Sequence, residues 1–410
     1  MLLVPKTARR AFKKEMAACV LAGVMVGGLY QFLSFVASHR LHASGTLISL
    51  MLAVPWAGSM LAPLWANMTE GKSKMKVVSY TWIVARALFF LMLFTRTSLA
   101  FALVATASMF ISSLSIPGYA CIMKTIYPDD HRGRLMSYIR VVMWIVALVV
   151  TYLVGPILKN YADSYRIVFP IAALCGVLSV FIFRGIDLPG DEEPALNGAD
   201  NFSLMESFRY YRSILTNDRR FGWFILTTTI YGFGNFLMMP VYPKFMDEVL
   251  KMDEGNFSTY AVVTTATMVV SYLYWGHYID RRNPLRCTVI TIFLNAFLPL
   301  TFFLAPSYIW ILPAAVFSGV MSAGLELGYI NAVLDFAPKG LEMAYQGVQS
   351  GVQGMRGIVG QIIGGVLYDL FRHRHYDTRY LFLISLAIIL LGWVMMVYGL
   401  RTRPRQPRTV

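Results

Sequence analysis

The chain has 410 residues, of which 57% are hydrophobic and only 14% are charged. Soluble domains carry about a quarter charged residues, so this composition, with a mean hydropathy of +0.57, excludes an ordinary soluble protein. The formal net charge is +14. The basic residues lie in short segments between apolar runs and form no basic soluble region, so we expect no nucleic acid partner.

Twelve apolar runs are predicted to cross a bilayer as helices, since each approaches or exceeds the roughly 20 residues that this requires. They are too long for barrel strands, the other structure that satisfies the backbone in lipid. The fold is therefore predicted to be an all-α polytopic membrane protein. The predicted spans are 16–38, 46–68, 77–94, 99–123, 135–158, 166–184, 221–243, 257–279, 285–305, 308–335, 343–368 and 379–400.

The longest polar segment, 185–220, is rich in Gly, Pro and acidic residues and is predicted to be a cytoplasmic linker. A short amphipathic helix is expected near 203–215. The linker divides the chain into an N-terminal six-helix bundle, 1–184, and a C-terminal six-helix bundle, 221–410.

The distribution of basic residues predicts that both termini lie in the cytoplasm. With that orientation, 24 of the 36 Lys and Arg residues fall in cytoplasmic segments and 9 in external ones. Such a bias is typical of cytoplasmic loops. The external cluster "FRHRHYDTR", 371–379, is the one discordant segment.

The two halves are similar to each other in sequence. "PGYACIMKTIYP" at 117–128 aligns with "LGYINAVLDFAP" at 327–338, and "PLWANMTEG" at 63–71 aligns with "GHYIDRRNP" at 276–284. Internal repeats of this kind are typical of transporters, whose substrate site lies at the repeat interface.

Between spans 8 and 9 the chain has the pattern G-x-x-x-D-R-x-x-x-x-R, formed by Gly276, Asp280, Arg281 and Arg286. This pattern resembles the cytoplasmic signature of the major facilitator superfamily. The resemblance implies two pseudo-symmetric six-helix bundles and a conformational latch that favours the outward-open state. Asp280 is expected to pair with a basic residue or to cap a neighbouring helix. The first-half copy departs from the pattern, with Pro63, Asn67 and Met68 in place of Gly, Asp and Arg.

Four ionisable residues are predicted to lie within spans, where charge is costly. Glu326 in span 10 and Arg356 in span 11 are expected at similar depth. They could form a structural ion pair, or Glu326 could carry a coupling proton or contact substrate. Arg86 lies in the middle of span 3, and Arg140 in span 5 is expected to extend to the membrane interface. This excess of cations favours an anionic or carbonyl-rich substrate.

Polar and aromatic residues on the helices that line the pathway in the family are further candidates for substrate contact, although each residue type is also common at helix contacts. Pro117 and Pro240 are predicted to kink spans 4 and 7. The pathway candidates are Tyr30, Gln31, Tyr119, Tyr231, Asn235, Tyr329 and Asn331.

The sequence favours a secondary active transporter that moves a small solute by alternating access, with proton coupling. An uncoupled facilitator remains open, as does a non-transporting membrane sensor or assembly protein with the same fold. The sequence contains no nucleotide-binding loop, Ser/His/Asp set or metal-ligand cluster, so we expect no enzyme activity, cofactor or metal. We expect a monomer in a bacterial inner membrane.

The orientation can be tested with reporter fusions near residue 195 and at the C-terminus. Both fusions should report the cytoplasm, because the 24-to-9 distribution of Lys and Arg favours that side. An external signal from either fusion would contradict the predicted orientation.

Overall fold

The computed structural model describes residues 8–61, 65, 72–161, 163–188, 212–281, 283–338 and 341–402. Positions 63, 67 and 68 of the first signature copy, and most of the helix expected near 203–215, lie outside these ranges. Within them the chain forms twelve helical spans, which confirms the all-α prediction. The spans are α1 (Arg9–His39), α2 (Gly45–Met60), α3 (Lys74–Leu93), α4a (Ser98–Ser113) with α4b (Ile116–Ile126), α5 (Asp129–Asn160), α6 (Tyr165–Arg184), α7 (Arg219–Glu248), α8 (Glu254–Arg281), α9 (Pro284–Leu304), α10 (Tyr308–Phe336), α11 (Glu342–His373) and α12 (Tyr380–Thr402).

Helix packing follows the same scheme in the two halves. In the first half α1 packs against α5 and α6, and α2 packs against α4a. In the second half α7 packs against α11 and α12, and α8 packs against α10. The halves meet where α2 packs against α11 and α5 against α8. The chain therefore forms two pseudo-symmetric six-helix bundles.

Eight described helices are long and apolar enough to cross a membrane by composition alone, or nine if the bent α4 pair counts as one span. The remaining spans are α2, α8 and α11. All three lie at the interface between the halves, where polar and small residues replace part of the apolar surface. Composition alone therefore misses three of the four helices that join the bundles and finds only α5.

Three spans are interrupted, and two of the interruptions coincide with predicted kinks. The two parts of α4 meet at 46° next to Pro117. The helix of α7 stops at Met238 and resumes at Val241, after Pro240. A proline inside a helix removes one backbone hydrogen bond. The third interruption is a π turn in α1, Val26–Tyr30, which the sequence pattern does not predict.

Among the described residues, the halves pack most closely near one side of the bundle. We call the side where α1 begins the terminal face, and the opposite side the distal face. Near the distal face, a Cβ on Gly365 of α11 would lie 2.7 Å from Ser49 Cβ and nearer still to the Gly45 carbonyl oxygen. Toward the terminal face, a Cβ on Gly276 or Gly351 would have no neighbouring described atom within 4 Å.

We expect a side chain at position 365 to force the distal face open. Gly365→Val should disfavour the distal-closed state by about 1–3 kcal/mol, a usual cost of overpacking. Gly351→Val adds the same side chain to the same helix at a position with free space, and should leave the balance between the distal-closed and distal-open states unchanged. Spin labels at exposed positions 161 and 251, in a background without native cysteines, would measure the distance between the halves. Equal distances in the two variants would contradict the packing.

Candidate functional site

A polar cluster joins the halves at the distal end of α1. Ser38 Oγ donates to Asp247 Oδ2 at 2.6 Å, and His39 Nδ1 lies 2.7 Å from Asp247 Oδ1. Arg40 Nη2 donates to Glu254 Oε2 at 3.0 Å and to the Leu158 carbonyl at 2.7 Å. Glu254 is fully buried, so its charge depends on Arg40 for compensation.

The carboxylate of Asp369, on α11, binds the N-terminus of α2 across the interface. Its oxygens accept from Gly45 N at 2.7 Å, from Thr46 N at 2.8 Å and from Thr46 Oγ1 at 2.6 Å. A helix N-terminus has unpaired N–H groups and a partial positive charge, which an anion stabilises. This contact therefore caps α2 with a side chain from the other half.

The Glu248 carboxylate contacts two basic residues of the distal face, Lys244 and Arg372. Its carboxylate pairs with Lys244, accepts from Tyr368 Oη at 2.9 Å and lies 2.9 Å from Arg372 Nε. Lys244 Nζ also donates to the Ala43 carbonyl at 2.9 Å. Arg372 belongs to the segment that was discordant with the predicted orientation. Its charge has a structural partner, which accounts for a basic residue on that side.

A third contact across the distal face lies nearer to solvent. Lys159 Nζ is 3.1 Å from Asp253 Oδ2. Burial raises the pKa of the Asp253 carboxyl, but the hydrogen bond from Asn256 N and the Lys159 ammonium outweigh it and leave the pKa below its usual value. This pair is about half exposed, so it contributes little to closure.

The first half contains a cavity of about 390 Å³ at the break in α4. Its wall combines aromatic rings with hydroxyl groups. Trp82 Nε1 donates to Ser115 Oγ at 2.7 Å, and the Trp82 and Tyr119 rings are 5.6 Å apart. Such a wall suits a small, partly polar ligand. The lining residues are Tyr30, Pro55, Ser59, Trp82, Met109, Ser112, Ser113, Ser115, Ile116 and Tyr119.

Two predicted pathway residues, Tyr30 and Tyr119, line this cavity. Arg86 lies behind its wall, with the guanidinium 5.1 Å from the Trp82 ring and bonded to the Gly176 carbonyl and to Ser179 Oγ. Gln31 follows the π turn and is half-buried, outside the lining.

The second half contains a buried polar cluster between α7, α9, α10 and α11. Asn295 Nδ2 donates to Tyr231 Oη at 2.9 Å and to Asn235 Oδ1 at 3.2 Å. The Arg356 guanidinium is 5.8 Å from the Tyr329 ring. Asn295 Oδ1, Tyr329 Oη and Arg356 Nε are buried without a hydrogen bond partner in the described part of the chain. The cluster thus unites four predicted residues with Asn295, which the sequence reasoning missed.

Asn331 does not join this cluster. Its Nδ2 donates to the Leu327 carbonyl of its own helix at 2.8 Å. The side chain thus caps a carbonyl one turn back along α10, as polar residues within spans often do.

The expected ion pair between Glu326 and Arg356 is wrong. Arg356 points toward α7, where its guanidinium donates to the Thr228 carbonyl in the space that Gly232 leaves. Glu326 pairs instead with Arg140 of the first half and accepts from Tyr272 Oη. Arg140 was expected to extend to the interface, but a carboxylate from the other half lies within its reach.

The residues of the predicted latch lie at the terminal end of α8 and the start of α9. Arg281 and Arg286 are exposed, and Gly276 has no close neighbour among the described residues. The side chain of Asp280 lies outside the described residues. The latch concerns the opposite conformational state and stays a prediction.

Besides Glu254, a second buried carboxylate, Glu15, escaped the sequence reasoning. Glu15 directly precedes the predicted start of the first span, but α1 begins at Arg9 and only 4% of Glu15 is exposed. Its Oε1 accepts from Tyr119 Oη at 3.1 Å, and its Oε2 accepts from Tyr127 Oη. The signal was available in the continuous run 9–25, which lacks a helix breaker.

Two six-helix bundles joined at the distal face, with a cavity in the first half, define the fold of a two-bundle membrane transporter. The sequence profile of the Major Facilitator Superfamily matches residues 16–230 and again 224–410. The chain therefore belongs to this superfamily, which confirms the resemblance found in the signature.

Solved structures of transporters share the fold at low sequence identity. A mutant of the nucleoside transporter NupG is 13% identical with a TM-score of 0.77, over 95% of this chain and 100% of that one. A POT family transporter in complex with 5-aminolevulinic acid is 12% identical with a TM-score of 0.73, over 95% and 97%. A bacterial homolog of the human lysosomal transporter Spinster is 11% identical with a TM-score of 0.71, over 97% and 98%. No curated protein sequence matches this chain.

We expect Glu254→Gln to weaken distal closure. The change removes a buried charge that Arg40 compensates, and hydrogen bonds to charged groups contribute about 1.5–3 kcal/mol. Spin labels at positions 161 and 251 should report a longer distance in the distal-open state. The ratio of the distal-open to the distal-closed population should rise by at least about tenfold. Asp253→Asn removes the neighbouring, more exposed pair and serves as the control, with little effect expected. Equal shifts in both variants would contradict a special role for the buried pair.

Proposed function

We propose that this protein is a secondary active transporter that moves a small solute by alternating access and couples it to protons. The observation that carries the proposal is the closure of the distal face by bonds between the halves, next to a first half whose cavity is lined by aromatic rings and hydroxyl groups. Every one of those bonds joins the first half to the second, so a rotation of one half can break them together. A concerted change of this kind is how repeat-based transporters expose a site to alternate sides.

The distal face is proposed to be external, with both termini and the linker at 185–220 in the cytoplasm. The Lys and Arg distribution supports this orientation. The structure then corresponds to a state closed toward the outside. A bacterial inner membrane and a monomer are proposed on the same sequence grounds.

The substrate is proposed to be a small anionic solute. Arg86 and Arg356 place one buried guanidinium in each half, and among the described residues both bond to neutral oxygens only. Cations in the membrane interior are costly and mark ligand or ion pathways. An anion in the central pathway would be stabilised by the positive electrostatic fields of both guanidinium groups.

Glu326 is proposed to carry a coupling proton. In this state its carboxylate pairs with Arg140 across the halves, with side-chain exposures of 38% and 52%. Protonation would remove the charge that attracts Arg140 and so weaken one link between the halves. Coupling then follows because the proton prefers one conformational state over the other.

An uncoupled facilitator is the alternative. The same Arg140–Glu326 pair supports it, since an ion pair that stays ionised throughout the cycle would act only as a link between the halves. The two candidates differ in one measurable property, namely accumulation driven by a pH gradient.

The test is uptake into proteoliposomes with and without an imposed pH gradient. The panel should contain small carboxylates, organic phosphates, nucleosides and 5-aminolevulinic acid. We expect an anionic solute to accumulate only when the gradient is present. Glu326→Gln should fold, because a partly exposed pair contributes about 1 kcal/mol or less, and should keep solute exchange while losing accumulation.

The control is the double variant Arg140→Gln with Glu326→Gln. If the pair is only a structural link, removing both partners should restore the activity that either single change lowers. If Glu326 carries the proton, the double variant should remain unable to accumulate solute. Wild-type uptake that is unaffected by the gradient would favour the facilitator, and no uptake of any solute would contradict transport of small anions.

A further inference from the structure

We propose that Glu15 is a second proton-binding site, reached from the cavity through Tyr119 and from the terminal face through Tyr127. The inference rests on the proposed proton-coupled function but concerns a different half of the molecule. Glu326 links the two bundles, whereas Glu15 lies wholly within the first.

The geometry places Glu15 between the cavity and the terminal face. It lies six residues after the start of α1, about 9 Å along the helix axis. Tyr119 both lines the cavity and donates to Glu15 Oε1 at 3.1 Å. Tyr127 directly follows the C-terminal end of α4b and donates to Oε2. The Tyr119 side chain therefore lies between the carboxylate and the cavity, and Tyr127, which is itself buried, bonds the carboxylate on the side of the helix end.

The surroundings of Glu15 provide no compensating charge among the described residues. Its neighbours on α1, α3, α4b and α5 are mostly apolar, and the titratable groups that face it are Tyr119, Tyr127 and the Cys19 thiol on its own helix. The described cation that acts on Tyr119 is Arg140, which is paired with Glu326. A buried carboxylate without a cation is a costly structural choice, since a neutral amide could also bond both tyrosines, accepting from one at its oxygen and donating to the other from its nitrogen. Retaining an ionisable group there is explained if the group binds a proton.

The proton step is simple and balanced. A proton from water in the cavity forms an O–H bond with a Glu15 oxygen, and the carboxylate becomes a neutral acid that can donate to a tyrosine oxygen. Release toward the terminal face restores the carboxylate and returns the proton to water. No oxidant, metal or co-reactant is involved.

Proton binding at Glu15 would also favour an anion in the cavity. The ionised carboxylate opposes the positive field of Arg86 on the same wall, and the neutral acid does not. Because like charges in a medium of low dielectric repel strongly, the anion and the proton each bind better when the other is present. Such reciprocity is the thermodynamic requirement for coupled transport.

The test is infrared difference spectroscopy on the full-length protein in liposomes, recorded between alkaline and acidic buffer without any solute. We expect a carbonyl-stretch component of a protonated carboxylic acid that Glu15→Gln removes. Cys19→Ala, one turn along the same helix, should retain it. Tyr119→Phe and Tyr127→Phe should each shift its frequency, because each removes one hydrogen bond to the carboxyl group.

A second measurement ties the site to the conformational cycle. In the Glu254→Gln variant, which favours opening of the distal face, the pH at which the Glu15 component appears should shift by about one unit, equivalent to a tenfold change in proton affinity. Absence of any component that depends on Glu15, or an identical midpoint in both conformational backgrounds, would overturn the inference. The two proposals can fail separately. A Glu15 component with the expected shift, together with wild-type uptake that does not respond to the pH gradient, would contradict the proposed coupling at Glu326 but would leave Glu15 as a proton-binding site.

Discussion

The structure depends on one constraint, that a charge in the membrane interior must be compensated by its protein neighbours. Glu254 and Arg40 compensate each other across the distal face, and so do Glu326 and Arg140 deeper in the bundle. Each pair takes one member from each half. The free energy that keeps these charges in the membrane is therefore also free energy of association between the halves. The contacts that compensate these charges are therefore also contacts that hold the two halves together.

The two halves share a helix arrangement but differ in chemistry. The first half has hydroxyl groups around an open cavity, with a carboxyl group one tyrosine behind its wall. The second half has a compact buried cluster in which amide, hydroxyl and guanidinium atoms lack partners among the described residues. Pseudo-symmetry of the backbone thus permits a division of roles, since the side chains at corresponding positions are free to diverge.

Hydropathy and the repeat were enough to predict the helices and the two bundles, because these follow from composition and spacing along one chain. The family was indicated by the resemblance of the signature at 276–286 to that of the superfamily. The partners within the site were not predictable. The sequence puts Glu326 and Arg356 at similar depth, but which helix face each occupies depends on packing, and Arg140 takes the place expected for Arg356. Glu15 was not identified because the predicted first span begins at residue 16, whereas α1 begins at Arg9. The π turn before Gln31 leaves no periodic signal at all.

The glycines of α11 have a kinetic consequence. Gly354, Gly357 and Gly365 face α2 of the other half, against Trp56, Met60 and Ser49. A surface made of glycine has no side-chain rotamers on one side, so α2 can turn against α11 without the stepwise repacking that interlocked side chains require. The activation barrier for the exchange of states is then governed by the ionic contacts at the distal face. Salt screens an exposed pair such as Lys159–Asp253 but screens the buried Arg40–Glu254 pair much less, so ionic strength should leave most of this barrier unaltered.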